Sequence, residues 1–205
     1  SHLGMTKVNK NGSLHDSQRK KVYVSEDTVF KFFADGGIHV GGTGVVNKHT
    51  QEFETVEDCK DWVVPIIDRK TFQRWYPRSG PYLLANLEIR PGFGARRAFA
   101  SGRATMTLPR WARNRAVILH ELSHLVVGLE YRRSECAFHG WQFCQVYLNL
   151  VRAVMGQDMH DSLKAEFKKN RVKFGPPRKK RAMTEEQKQV LRDRLVVARA
   201  AKKKA

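Results

Sequence analysis

The chain has 205 residues, 38 of them Lys or Arg and 20 Asp or Glu, giving a formal net charge of +18. That length supports a buried core without covalent staples, and a 41% hydrophobic composition excludes a wholly disordered chain. No apolar run is long enough to cross a bilayer, no charged-then-apolar leader is visible, and three cysteines are too few for a disulfide framework. The expectation is therefore an intracellular protein with no membrane partner.

Ser1-His2-Leu3-Gly4 ahead of Met5 reads as an affinity-tag remnant, so residues 1–5 are set aside. Residues 6–21 are polar and basic and read as a flexible lead-in. A helix is predicted after Ser25 as its N-cap, stopped by Gly36-Gly37. Ile38 to Val46 reads as a bent strand. Thr55 caps the next helix, with Glu57 and Asp58 in its first turn and Pro65 as a kink or break. Tyr82 to Arg90 reads as a strand and Pro91-Gly92-Phe93-Gly94 as a turn. Arg97 to Leu108 reads as one extended stretch, alternating at its end and closed by Pro109. A strong helix then covers Trp111 to Gly128, and Leu129 to Ala137 is a charged loop. A second helix covers about His139 to Met155, with Phe143, Val146, Tyr147, Leu150 and Val154 at helical spacing. Gly156 ends it, and a third amphipathic segment covers His160 to Lys169.

Residues 168–205 differ in character. They hold 15 Lys or Arg against three acids, +12 of the total +18. Gly175-Pro176-Pro177 marks a linker, and Arg178-Lys179-Lys180-Arg181 is a compact basic cluster. Thr184, with Glu185, Glu186 and Gln187 after it, opens a last helix through a capping box. The predicted organisation is a globular domain over 22–169 and a basic linker and helical tail over 170–205. Such a tail suits the phosphate backbone of DNA or RNA without reading sequence, and equally suits a solvated charged helix. No aromatic follows Phe174, so base stacking by the tail is not expected.

His120-Glu121-Leu122-Ser123-His124 fits H-E-x-x-H within a confident helix. Histidines four apart lie one turn apart on one face and can reach one metal ion, zinc by default. Glu121 is placed to take a proton from water at that metal. A catalytic zinc has three protein ligands and one open position, so a third ligand is needed downstream. His139 is the first candidate, with Glu130 and Glu135 as alternatives and Asp158 and His160 further away. Cys136, His139 and Cys144 offer a separate small zinc cluster, although burial is the commoner fate of a free cysteine.

The pair His120-Glu121-Leu122-Ser123-His124 and His139-Gly140-Trp141-Gln142-Phe143 resembles the SprT-like zinc metalloprotease pattern over about residues 100–156. In layout the chain is also similar to a group of metallohydrolases of actinobacteria and their phages, in its Thr-Leu-Pro ending, the Trp-Ala-Arg before the helix, and the basic helical tail. The resemblance implies an α+β, zincin-like fold: a small mixed sheet on the H-E-x-x-H helix and a second helix carrying the third ligand. It implies His120, His124 and His139 as ligands of Zn2+ and Glu121 as the base. An edge strand ahead of the active-site helix would pair with an extended substrate, and Ala104, Thr105, Met106, Thr107 and Leu108 are its candidates. Tyr131 and Tyr147 are candidate oxyanion donors. The expected activity is hydrolysis of a protein or peptide. The competing expectation is a DNA- or RNA-binding protein with a structural zinc, and Glu121 separates the two, because a closed structural site has no use for it.

Overall fold

The computed structural model describes residues 14–34, 51–93, 97–177 and 183–203. The predicted strand over Ile38 to Val46, the Gly36-Gly37 stop, the tag remnant, Gly94 of the predicted turn and the Arg178–Arg181 cluster lie outside these residues. The described chain is mixed α+β and mainly helical, with one three-stranded sheet.

The first helix, α1 (Arg19–Ala34), begins inside the segment read as a flexible lead-in. Ser25 is therefore not its N-cap but lies in its second turn, buried, with its hydroxyl on the Lys21 carbonyl. Asp16 performs the capping instead, its Oδ1 accepting the Arg19 N–H at 3.2 Å. Val22, Ser25 and Val29 are buried one or two turns apart, the stripe that docks α1 on the rest of the molecule.

Thr55 opens α2 (Val56–Asp68) through a capping box with Asp58. The helix runs through Pro65 rather than breaking there, because Cys59, Val63, Ile66 and Ile67 bury one face along its whole length. The chain turns only at Arg69, into α3 (Lys70–Trp75). The segment read as a strand from Tyr82 is mostly α4 (Ser79–Asn86), followed by the short strand β1 (Glu88–Pro91). The cap of α4 comes from far away. Glu130 accepts the Ser79 N–H at 2.8 Å, the Ser79 hydroxyl at 2.9 Å and the Arg78 N–H at 3.0 Å.

The single extended stretch predicted over Arg97 to Leu108 is a hairpin: β2 (Phe99–Ser101), a turn, and β3 (Thr105–Leu108). Gly102, at φ 59°, supplies the left-handed residue of that turn. The sheet order is β1-β3-β2, with β1 parallel and β2 antiparallel to β3. Met106 and Leu108 turn inward and are fully buried.

Two helices carry the histidines. Asn114 accepts the Val117 N–H and starts α5 (Arg115–Glu130); the preceding Arg110–Ala112 is a separate 3-10 turn, so α5 does not begin at Trp111. Then α6 (Trp141–Met155) begins two residues after His139, which sits in the turn before the helix and not within it. Gly140 fits closely there, since a Cβ would lie 3.1 Å from the Ala137 carbonyl oxygen and the neighbours would have to shift. Gly156, at φ 97°, lets the chain turn into α7 (Gln157–Lys169). The packed body does not stop at 169 or begin at 22. Asn170 donates to Ser25 at 2.9 Å, Val172 is buried, and Gln18 bonds the Lys173 backbone. Past the linker, α8 (Glu185–Lys203) starts at the predicted Thr184–Gln187 capping box and exposes its described side chains. No described helix is long and apolar enough to cross a membrane.

Candidate metal centre

The interior face of α5 carries His120 and His124 one turn apart, and the turn before α6 brings His139 to them. His120 Nε2 lies 3.2 Å from His124 Nε2 and 3.4 Å from His139 Nε2, and the three ligand atoms fall within 4.8 Å of one another. Among the described residues this is the one group of three or more His, Cys, Asp or Glu side chains arranged to hold a metal. Two nitrogens bound tetrahedrally to one zinc at 2.0–2.1 Å would stand about 3.3 Å apart. The two shorter spacings already match that figure.

The far sides of two imidazoles are also fixed. His120 Nδ1 meets Glu26 Oε1 at 2.6 Å and His139 Nδ1 meets Asp16 Oδ2 at 2.6 Å. With Nδ1–H donated to a carboxylate, the Nε2 lone pair points inward, the tautomer a metal ligand needs. Lone pairs gathered this closely repel one another unless a cation lies between them, so the donor set fits a metal ion. Asp16 thus caps α1 with one oxygen and orients a histidine with the other.

Burial governs the titration of these groups. It lowers His120 and His124 well below the ordinary imidazole value, the neighbouring imidazoles adding to it, so both stay neutral. It pushes Glu26 and Glu121 up to about 8. Burial works against Asp16 as well, but bonds from His139 and from the Gln18 and Arg19 backbone outweigh it and hold that carboxyl low. A cation at the cluster would favour the charged form of all three carboxylates.

Aromatic rings enclose the cluster. Phe143 of α6 lies beneath it, with centroids 4.8, 4.4 and 4.9 Å from His120, His124 and His139. Phe138, half exposed, meets His124 edge-on. Tyr23 of α1 stacks on His120. Glu121 is only 5% exposed, and the Ala100 backbone of β2 opposes the effect of burial on its carboxylate.

The other sequence candidates fall elsewhere. Glu130 caps α4 and Glu135 lies on an exposed 3-10 turn, so neither joins the histidines. His160 pairs with Asp161 on α7. Cys144 gives its thiol to the His139 carbonyl at 3.7 Å, and among the described residues Cys136 and Cys144 join no group placed to hold a metal. Tyr147 is fully buried, with its hydroxyl on the Ala116 carbonyl, and Tyr131 packs on Trp141 two turns beyond His124. Neither is placed as an oxyanion donor. The segment Ala104, Thr105, Met106, Thr107 and Leu108 is no edge: β3 is paired on both sides, and the edge beside α5 is β2.

Asp16, Glu26, Tyr23 and Ala100 are the site residues that motif reading misses. Glu26 left one trace, a carboxylate one turn after Val22 on the apolar stripe of α1. Compared with models of protein families, with curated proteins and with solved structures, the chain matches none.

Proposed function

We propose that the chain is a zinc-dependent metallohydrolase of zincin type that cleaves peptide bonds. The observation that carries this reading is the three converging Nε2 atoms, with Glu121 next along α5 and the strand β2 at the edge of the sheet among the described residues. His120, His124 and His139 would hold the ion, and Glu26 and Asp16 would hold the histidines. A zinc ion there supplies Lewis acidity, which makes water a nucleophile at neutral pH and polarises a carbonyl.

The protein's own groups do the rest. Glu121 receives a proton on its carboxylate from the attacking water and passes it to the leaving amine nitrogen. Register places Ala100 opposite Met106, and the Ala100 backbone acts on the Glu121 carboxylate. An extended peptide added to that outer edge of β2 would run past Glu121 and the histidines. The N-terminal segment reaches His120 and His139 from α1 and its cap through Glu26 and Asp16.

Glu121→Gln keeps the shape of the site and removes the base. Zinc content and fold are expected to be retained and casein hydrolysis to fall at least about a hundredfold. Unchanged turnover in that variant would contradict the reading. The exposed basic helix α8 is proposed to bring the hydrolase to DNA or RNA. Binding to duplex and single strands should weaken steeply with salt. Equal affinity after removal of residues 178–205, which leaves the packed body intact, would discard that role.

A further inference from the structure

The cluster has a floor and a roof of different chemistry. Phe143 makes the floor and is fully buried. The roof is Tyr23, whose ring lies 5.6 Å from His120 at an interplanar angle of 17° and 5.2 Å from His139, edge-on. Tyr23 is also 41% exposed, so a phenol ring packed on two of the candidate ligands is open to solvent. One turn earlier on the same face of α1, Arg19 sets its guanidinium 5.7 Å from the Tyr23 ring centroid. Asp16 and Glu26 flank Tyr23 in sequence and are each bonded to one of those two histidines, which keeps the phenol in register with the cluster.

A residue that only sealed the roof would need no hydroxyl, as Phe143 shows on the floor. The charged groups whose fields reach this hydroxyl are Glu26 and Arg19 of its own helix and Glu121 of α5. Carbonyl hydrolysis requires a donor where negative charge develops on oxygen, and a phenol that keeps its proton is one.

We propose that Tyr23 is a further catalytic residue, its hydroxyl donating a hydrogen bond to the carbonyl oxygen of a substrate held at the histidine cluster, with Arg19 steadying the ring. The phenol keeps its proton and forms no covalent bond. This assignment rests on the metallohydrolase reading.

The test uses the full chain loaded with cobalt(II) and acetohydroxamate as probe, followed by visible absorption. Tyr23→Phe should take up cobalt like the wild type, show the same spectrum before the probe is added, and bind acetohydroxamate about tenfold more weakly, the loss of one hydrogen bond to a charged oxygen. Equal hydroxamate affinity in the two proteins overturns the proposal, as does a wild type that binds no hydroxamate. A changed resting spectrum in Tyr23→Phe overturns it too, making the phenol a ligand. Casein cleavage by the wild type is scored separately. Tyr23-dependent hydroxamate binding without cleavage removes the peptidase reading and leaves the Tyr23 assignment, and cleavage with Tyr23-independent binding does the reverse.

Discussion

Each histidine of the cluster needs a reason to present Nε2 inward, and for two of them the reason is a carboxylate from the N-terminal segment. Replacing Asp16 by Asn or Glu26 by Gln leaves a hydrogen-bond acceptor of similar size but removes the charge that strengthens the ligand. Each variant is expected to stay folded and to bind zinc about 10–100-fold more weakly, measured by competition with a chromophoric chelator. Unaltered affinity in both would mean that the carboxylates only tether α1. The motif histidines were legible because their chemistry lies in a four-residue spacing within one helix. Asp16 was not, because its partner His139 is 123 residues away and nothing local distinguishes a capping Asp from one that also orients a ligand.

At the scale of elements, misreadings occurred where a distant group supplied the decisive bond. Tyr82-Leu83-Leu84 is apolar enough for a strand, yet it is helical because Glu130 caps α4 from the end of α5. Glu130→Ala should destabilise the protein by about 1–2 kcal/mol, read from denaturant midpoints, with zinc affinity unchanged. Helices whose caps are local, α2 with Thr55 and Asp58 and α8 with Thr184 and Gln187, were readable from sequence alone. The hairpin was missed for a related reason: β2 is three residues long, too short for alternation to show, and Gly102 alone marks the turn. That error moved the substrate edge from β2 to the central strand β3.

For the whole molecule, buried titratable groups tie stability to pH and to the metal. Glu26 and Glu121 have raised folded pKa values, so in chelator-treated protein their contribution is intact below the ordinary value of 4.5 and is lost as pH rises toward about 8. His120 and His124 have lowered ones, so their contribution is present above 6.5 and is lost as pH falls below it. Between 6.5 and 8 only the carboxylate effect remains, and the chelated protein should lose stability across that window in thermal melts. Zinc stabilises both carboxylates as anions and should flatten the loss, adding about 2.7 kcal/mol at a free concentration one hundred times its Kd. A chelated protein as stable at pH 8 as at 6.5 would contradict this picture of the interior. The high net charge does not bear on this chemistry, since +12 of the +18 lies in residues 168–205, away from the histidines.

The most direct measurement is zinc-edge X-ray absorption on the zinc-loaded full chain at neutral pH. Three imidazole nitrogens and one further light-atom ligand, all at about 2.0–2.1 Å, are the expected result. A sulfur shell at about 2.3 Å, four imidazoles, or a chain that retains no stoichiometric zinc would contradict a three-histidine centre with one open position.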